Sequence, residues 1–158
     1  MSDESWIIGL MRENYEAVGF IPATTIRDRY VHTGRYAIQR DERGRCVGYI
    51  LHGAIRAGLP VSITQCCIQY DSRLHGYGES AFGTVLERAR LRGASGVRLR
   101  CATDLEAMTF WQDQGFVWRD VVAGGASRNR VIARMWLPLG LPLFGSLPMA
   151  GSSQGEGV

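Results

Sequence analysis

The stretch from Ile68 to Gly78, which reads IQYDSRLHGYG, constrains the fold of this chain more than any other. Residues 61–70 are rich in apolar and aromatic side chains, which favours a strand, and the apolar residues after the stretch recur on one helical face: Tyr77, Ala81, Phe82, Val85, Leu86 and Ala89. Gly76 and Gly78 therefore stand where a strand ends and a helix begins. A backbone without Cβ atoms can turn tightly there and point its N–H groups at a ligand. The stretch predicts an anion cradle suited to phosphate, with Arg73 as a cation at its mouth.

The spacing Arg73-x-x-Gly76-x-Gly78 resembles the acyl-coenzyme A signature of the GNAT N-acetyltransferase superfamily. A further run, Phe110-Trp111-Gln112-Asp113-Gln114-Gly115-Phe116, resembles the aromatic-x-x-x-Gly-Phe pattern that ends the next helix of that family. The resemblance covers roughly residues 5 to 138. It implies a single α/β domain with a mixed central sheet, a splayed strand pair and flanking helices. Rival phosphate loops fit less well, because the chain has no lysine for a Walker motif and Ala81 stands where a dinucleotide fingerprint needs its third glycine.

The length and composition favour one globular domain. A chain of 158 residues suffices for a single core, and no apolar run approaches the roughly 20 residues of a membrane span. The acidic opening Met-Ser-Asp-Glu lacks the basic region of a signal peptide, so we expect a cytoplasmic protein. We assign residues 1–138 to the domain and predict a flexible tail at 139–158, where glycine, serine and proline are frequent.

All 18 basic residues are arginine, and the net charge is only +3. One interpretation is an arginine-rich face for nucleic acid or another polyanion. The other is an ordinary solvated surface, which we favour because the arginines are spread along the chain and form no run. The four cysteines show no metal-ligand spacing and are expected to be reduced, buried residues.

The first half of the chain predicts two helices and three strands. The helices occupy residues 5–33 and break at Gly19–Pro22; in the resembled family they flank the acceptor cleft. The first strand expected of that family is not evident before Trp6. A hairpin follows, with strands Arg35–Arg40 and Cys46–Ile55 joined by the turn 41–44.

The central strand contains a slip in its apolar alternation near Gln65. A β-bulge there would keep the later side chains on their correct faces and would free backbone groups for the amides of pantetheine, as in the resembled family. The alternative is that Cys66 and Cys67 are both simply buried and the strand is regular. The sequence leaves both possibilities open.

The second half alternates helices and strands. The helix from Gly78 should end near Gly93, and Gly96–Ala102 should form a strand with one arginine face. Asp104 is predicted as the N-cap of the next helix rather than as a catalytic carboxylate. Two closing strands, Phe116–Val122 and Val131–Leu137, should follow.

The resemblance implies which residues bind the coenzyme, and leaves the catalytic residues unknown. The predicted cofactor-binding set is Cys67, Ile68, Arg73, Leu74, His75, Gly76, Tyr77, Gly78, Asp104 and Trp111. Backbone N–H groups near Cys67 and Ile68 are candidates for holding the oxyanion. Trp111 stands where many relatives carry a proton-donating tyrosine, and an indole cannot give up its proton at neutral pH. No glutamate base is found among Ser62, Ile63 and Thr64, and the spare candidates are weak: Tyr15, Glu13, Glu16 and Tyr70.

The resulting hypothesis is an N-acetyltransferase that transfers the acetyl group of acetyl-CoA to a primary amine of a small molecule or peptide. No metal site is predicted, and the side chain of His75 is expected to face solvent. One alternative is an acyl-CoA-binding module without turnover. Another is a phage-type, GNAT-like enzyme that modifies nucleic acid or aminoacyl-tRNA. Nucleic acid is thus a second candidate partner, which we do not favour. We expect a monomer or homodimer with no membrane partner.

Overall fold

The computed structural model describes residues 1–124 and 129–140. The helices are α1 (Asp3–Glu13), α2 (Tyr15–Val18), α3 (Ala23–Thr25), a π-helix (Ile26–Val31), a 3-10 turn (Tyr70–Ser72), α4 (Tyr77–Leu91) and α5 (Ala107–Asp113). The strands are β1 (Tyr36–Arg40), β2 (Cys46–His52), β3 (Pro60–Ile68), β4 (Gly96–Ala102), β5 (Val117–Ala123) and β6 (Val131–Pro138). Most of the loop predicted between the last two strands, and of the tail, lies outside the described residues.

The six strands form one mixed sheet in the order β1-β2-β3-β4-β6-β5. Only β3 and β4 are parallel, and they pair at three positions, from Pro60 with Gly96 to Ser62 with Arg98. Beyond Ser62 the two strands separate, while β4 continues to pair with β6 as far as Ala102. The expected mixed sheet with a splayed strand pair is therefore confirmed.

Helices cover the sheet on both faces. On one face α4 and α5 close the larger core cluster, which includes Phe82, Val85 and Trp111. On the other face α1 and the π-helix close a second cluster around Ile7, Met11, Ile26 and Tyr49. Helix α1 starts at Asp3, two residues before the predicted start, because the Ser2 side chain caps it by accepting a hydrogen bond from the N–H of Ser5.

The slip in β3 is a β-bulge at Thr64. Leu51 of β2 lies opposite Gln65, and the next residue, His52, lies opposite Ile63, so Thr64 is the extra residue. Because of the extra residue, side chains four positions apart across the bulge point to opposite faces of the sheet. Ile63 before it packs in the cluster under α4, whereas Cys67 after it packs in the cluster under α1. The bulge predicted near Gln65 is confirmed, and the regular strand is excluded.

The segment after Pro22 forms a wider helix than expected. The N–H of His32 donates to the carbonyl of Arg27 at 2.8 Å, and the N–H of Arg35 donates to that of Tyr30 at 2.8 Å. Both bonds span five residues, which is the π-helical pattern and is frequent at functional sites. The turn leaves Tyr30 buried and directed at β3.

Three predicted boundaries are wrong. Strand β2 ends at His52 rather than Ile55, because the chain leaves the sheet for a loop that reverses at Gly58. Tyr70 belongs to an exposed 3-10 turn and not to the central strand. Leu139, placed in the tail, donates its N–H to the carbonyl of Ser95 and packs partly against the core.

Candidate functional site

The turn between β3 and α4 has the conformation that its glycines suggested. Gly76 is the N-cap of α4 and is left-handed, with φ of 81°, a region that favours glycine. Gly76 has no side chain, so it caps none of the first N–H groups of α4. Leu74 is also left-handed, with φ of 63°, and its side chain is fully exposed. The start of a 15-residue helix is thus open to an anion.

The two glycines of the turn have different roles. A Cβ on Gly76 would meet nothing within 4 Å. A Cβ on Gly78 would lie 3.2 Å from Cε2 of Phe110 on α5, which is tighter than ordinary van der Waals contact. Gly78 therefore lets α5 approach α4, whereas Gly76 provides the turn itself.

Arg73 closes back on the end of β3 instead of projecting from the turn. Its Nε donates to the carbonyl of Ile68 at 3.0 Å, and its Nη2 donates to Oδ1 of Asn14 at 3.1 Å. The guanidinium also lies over the ring of Tyr70, 5.3 Å from the centroid. Arg73 thereby joins α1, β3 and the turn, and its charge lies at the mouth of the splay.

His75 and Tyr77 lie at the outer surface of the turn. Their rings are 6.2 Å apart, and the hydroxyl of Tyr77 donates to Oε2 of Glu42 at 2.7 Å. This carboxylate acceptor raises the pKa of the Tyr77 phenol above its usual value. His75 is exposed, as expected.

Beyond Ser62 the outer edge of β3 carries backbone groups that are not paired with any strand of residues 1–124 or 129–140. The N–H of Gln69 donates to Val47 of β2, so by the alternation of an antiparallel pair Cys67 also bonds to β2, while Cys66 and Ile68 face outward. Of the two expected oxyanion donors, Ile68 is therefore the one whose N–H faces the splay. Burial raises the pKa of the Cys66 thiol to about 12 and that of Cys67 to about 11, so both are protonated at neutral pH.

Asp104 is not a helix cap, so that prediction is wrong. Residues 103–106 form a turn and α5 begins at Ala107, after Glu106 as its N-cap. Asp104 instead pairs with Arg130, with Nε and Oδ2 3.4 Å apart. Arg130 also donates to the carbonyl of Glu16 at 3.0 Å, so it connects the start of β6 to α2.

Trp111 belongs to the core. It is 5% exposed and packs edge-on against Phe82, with ring centroids 5.4 Å apart, and against Phe116 at the same distance. Phe110 completes this aromatic cluster. The other carriers of acid–base chemistry considered from the sequence, Glu13, Glu16, Tyr15 and Tyr70, are exposed.

The sequence reasoning missed the hydrogen bonds of two neighbouring residues at the bulge, Thr64 and Gln65. The hydroxyl of Tyr30 donates to Oγ1 of Thr64 at 3.1 Å, which ties the π-helix to the point where β3 leaves β4. The amide of Gln65, 4% exposed, accepts from Tyr49 and donates to the carbonyls of Val18 and Gly19. A glutamine within an apolar strand was the only available signal, because a buried amide requires partners.

Solved structures of acetyltransferases share this architecture. Ard1 from Thermoplasma volcanium superposes with a TM-score of 0.76 at 20% identity, covering 87% of this chain and 93% of that one. A GNAT superfamily phosphinothricin acetyltransferase from Sinorhizobium meliloti, in complex with AcCoA, gives 0.73 at 20% identity over 87% and 84%. The ribosomal-protein-S18-alanine N-acetyltransferase of Escherichia coli gives 0.72 at 14% identity over 98% and 94%. No family model and no curated protein sequence matches the chain.

The chain has the GNAT fold. The resemblance read from Arg73, Gly76 and Gly78 is confirmed at this level. Within the GNAT fold of this chain, residues 1–124 and 129–140 contain no group of three or more His, Cys, Asp or Glu side chains that could hold a metal ion. None of the helices in these ranges has the length and apolarity needed to cross a membrane.

Proposed function

We propose that the chain is an N-acetyltransferase that uses acetyl-CoA to acetylate a primary amine. The observation that carries the proposal is the open outer edge of β3, which starts at Ser62, passes the bulge at Thr64 and ends at the uncapped start of α4. An extended pantetheine can pair with such an edge, and a pyrophosphate suits the helix start. One GNAT-fold neighbour was solved in complex with AcCoA, which supports the same ligand here.

The residues of the turn fit this coenzyme. The backbone from Leu74 to Gly78 would hold the pyrophosphate, with Gly76 permitting the approach and Arg73 supplying charge nearby. Cys67 and Ile68 would position the acyl end through the backbone of β3. For Asp104 and Trp111 we propose indirect roles, the former through Arg130 and the latter through packing of α5.

The chemistry requires a neutral amine, a held oxyanion and a protonated leaving thiolate. The amine nitrogen attacks the thioester carbonyl, the carbon–sulfur bond then breaks, and one proton passes from the nitrogen toward the sulfur. Bound acetyl-CoA supplies the activated acyl group. In this chain the outward N–H of Ile68 is the donor proposed for the oxyanion. With Trp111 buried, we propose water as the proton route and positioning as the main catalytic contribution.

The second candidate is an acyl-CoA-binding module without turnover. It is favoured by one observation, the burial of the Trp111 indole at the position where a proton donor was expected. Release of free thiol from acetyl-CoA with a panel of primary amines separates the two. Thiol release above the buffer rate supports the enzyme, and coenzyme binding without release with any amine supports the module.

Coenzyme binding itself is tested by two glycine variants with matched strain. Gly76→Val and Gly58→Val place a side chain at φ of 81° and 75°, each with nothing within 4 Å, and each should cost about 1–2 kcal/mol of stability. Only Gly76→Val should abolish CoA binding in calorimetry, because only Gly76 lies at the start of α4. Unchanged affinity in Gly76→Val would remove the basis of the proposal. A cytoplasmic location and a monomer or homodimer stay predictions.

A further inference from the structure

A cleft of about 410 Å³ lies between the π-helix, the loop after β2 and the first half of β3. Its lining includes Arg29, Tyr30, Arg35, Arg56, Ser62 and Thr64. A second recess, of about 540 Å³, shares Arg35 and Arg56 with the cleft and adds Arg88 of α4 and Arg92, the residue that follows α4. We call these five arginines the arginine cluster.

Within the part of the chain that the structure describes, the arginine cluster lacks acidic partners. No aspartate or glutamate among those residues lines the cleft or the recess. Elsewhere in the described ranges arginines do pair with carboxylates, as Arg45 does with Asp41 and Arg134 with Asp120. No ion pair in these ranges includes a member of the arginine cluster. Positive charge is therefore concentrated in a concave surface, which raises the local concentration of anions.

His52 lies at the floor of both cavities and is neutral, so it adds no positive charge to that of the arginine cluster. It is 2% exposed, and its Nδ1 lies 2.8 Å from the carbonyl of Gly53, so Nδ1 carries the proton. Its Nε2 lies 3.4 Å from Nη1 of Arg88, which can only donate. Burial, and secondarily Arg88, Arg92 and Arg35, lower the pKa of His52. A second cation in the floor is thus avoided.

The cleft reaches the start of the open edge of β3. Ser62 is the last residue of β3 that pairs with β4, and Thr64 is the bulge residue held by Tyr30. A molecule whose anionic groups contact Arg29, Arg35 and Arg56 would therefore extend toward the point where β3 leaves the sheet. Cys67 and Ile68, which we propose hold the acyl end, lie three and four residues further along the same strand, roughly 10–13 Å from Thr64, so an extended peptide acceptor can span the two.

We propose that the arginine cluster selects an acidic acceptor, a primary amine that carries at least two carboxylate or phosphate groups. The proposal rests on the proposed acetyltransferase function, because it assigns the acceptor of that site. Planar guanidinium groups suit both carboxylate and phosphate through paired hydrogen bonds. A small peptide terminus or an amino acid fits the volume of the cleft better than a folded macromolecule.

Matched acceptors test the selectivity. The tripeptides Asp-Glu-Ala and Asn-Gln-Ala differ only in two carboxylates, and phosphoserine-Ala-Ala provides a phosphate source. With saturating acetyl-CoA, kcat/KM from thiol release should be about 10-fold or more higher for an acidic peptide than for Asn-Gln-Ala, and the difference should shrink with salt. Comparison of the Asp-Glu-Ala and phosphoserine arms identifies the favoured anion. Equal kcat/KM for the acidic and neutral peptides would overturn the proposal.

Variants then locate the site. Arg56→Gln and Arg35→Gln should each lower kcat/KM for Asp-Glu-Ala about 10-fold, mainly through KM, and lower it much less for Asn-Gln-Ala, which keeps only the C-terminal carboxylate. Arg43→Gln, in the exposed turn between β1 and β2, is the matched control and should change neither. A loss that is equal for both peptides would contradict anion recognition.

Binding without chemistry separates this proposal from the proposed function. N-acetyl-Asp-Glu-Ala cannot accept an acetyl group, and calorimetry without coenzyme should detect its binding to the parent and a loss in Arg56→Gln. Such binding without thiol release from any amine would leave the anion site standing while the transferase function fails. No binding of the acetylated acidic peptide and no preference in turnover would sink the anion site alone.

Discussion

The buried amide of Gln65 offers the sharpest test of how the bulged strand is held. Its oxygen accepts from the Tyr49 hydroxyl at 3.0 Å, and its nitrogen donates to the carbonyls of Val18 at 3.1 Å and Gly19 at 2.8 Å. Tyr49 is fully buried, and burial raises the pKa of its phenol, so the hydroxyl stays protonated and needs an acceptor. Gln65→Leu replaces the polar amide with an apolar side chain of similar size and leaves that hydroxyl unpaired.

The magnitude follows from the partners that are lost. A buried unsatisfied hydroxyl costs about 1–3 kcal/mol, and the carbonyls of Val18 and Gly19, nearer the surface, add less because water can reach them. We expect Gln65→Leu to lower the free energy of unfolding by about 2–4 kcal/mol, and Tyr49→Phe by about 1–3 kcal/mol. The double variant should lose less than the sum, by about 1–2 kcal/mol, since neither partner is then left unpaired.

Urea unfolding measures these differences, provided that the m-value is unchanged. Gln69→Leu, on an exposed glutamine just after the same strand, is the control and should stay within about 0.5 kcal/mol of the parent. Strict additivity in the Tyr49–Gln65 double variant, or a Gln65→Leu protein as stable as the control, would refute the reasoning.

Three further predictions concern single side chains. Trp111→Phe should keep the rate of thiol release within about twofold of the parent. It should lower the free energy of unfolding by about 1–3 kcal/mol, because a smaller ring replaces the indole in the aromatic cluster. A fall of thiol release to the buffer rate at unchanged stability would instead show that the indole is catalytic. Burial lowers the pKa of His52 below its usual 6.5 in the folded protein. As the pH falls below 6.5, His52 therefore binds a proton in the unfolded chain but stays neutral in the folded one. Stability should therefore decline toward acid, and His52→Gln should flatten that limb in urea unfolding at a series of pH values. Burial raises the pKa of the thiols of Cys66, Cys67 and Cys101, so iodoacetamide at neutral pH should label Cys46 first. Preferential labelling of any other cysteine, located by peptide mass, would contradict these raised pKa values.

The sequence by itself determined the features that depend on a few neighbouring residues. The left-handed turn at Gly76 and the end of α4 before Gly93 follow from the absence of a Cβ atom in glycine. The bounds of β4 follow from the alternation of apolar and polar side chains along Gly96–Ala102, which predicted both ends of the strand. The bulge was detectable near Gln65 because one extra residue shifts that alternation. In each case the cause is local backbone geometry, which a short window of sequence contains.

Only the tertiary structure decided which distant side chains meet. Asp104 reads as a cap from its neighbours, yet it pairs with Arg130 because β6 returns beside β4. Arg73 reads as a free cation, yet α1 brings Asn14 within 3.1 Å of it. The arginines were interpreted as a dispersed solvated surface because they are spread along the chain. Arg29, Arg56 and Arg92 come from three separate elements, and the packing of the π-helix and α4 around the sheet places them around adjoining cavities. Their clustering depends on the path of the whole chain, and no local pattern records it.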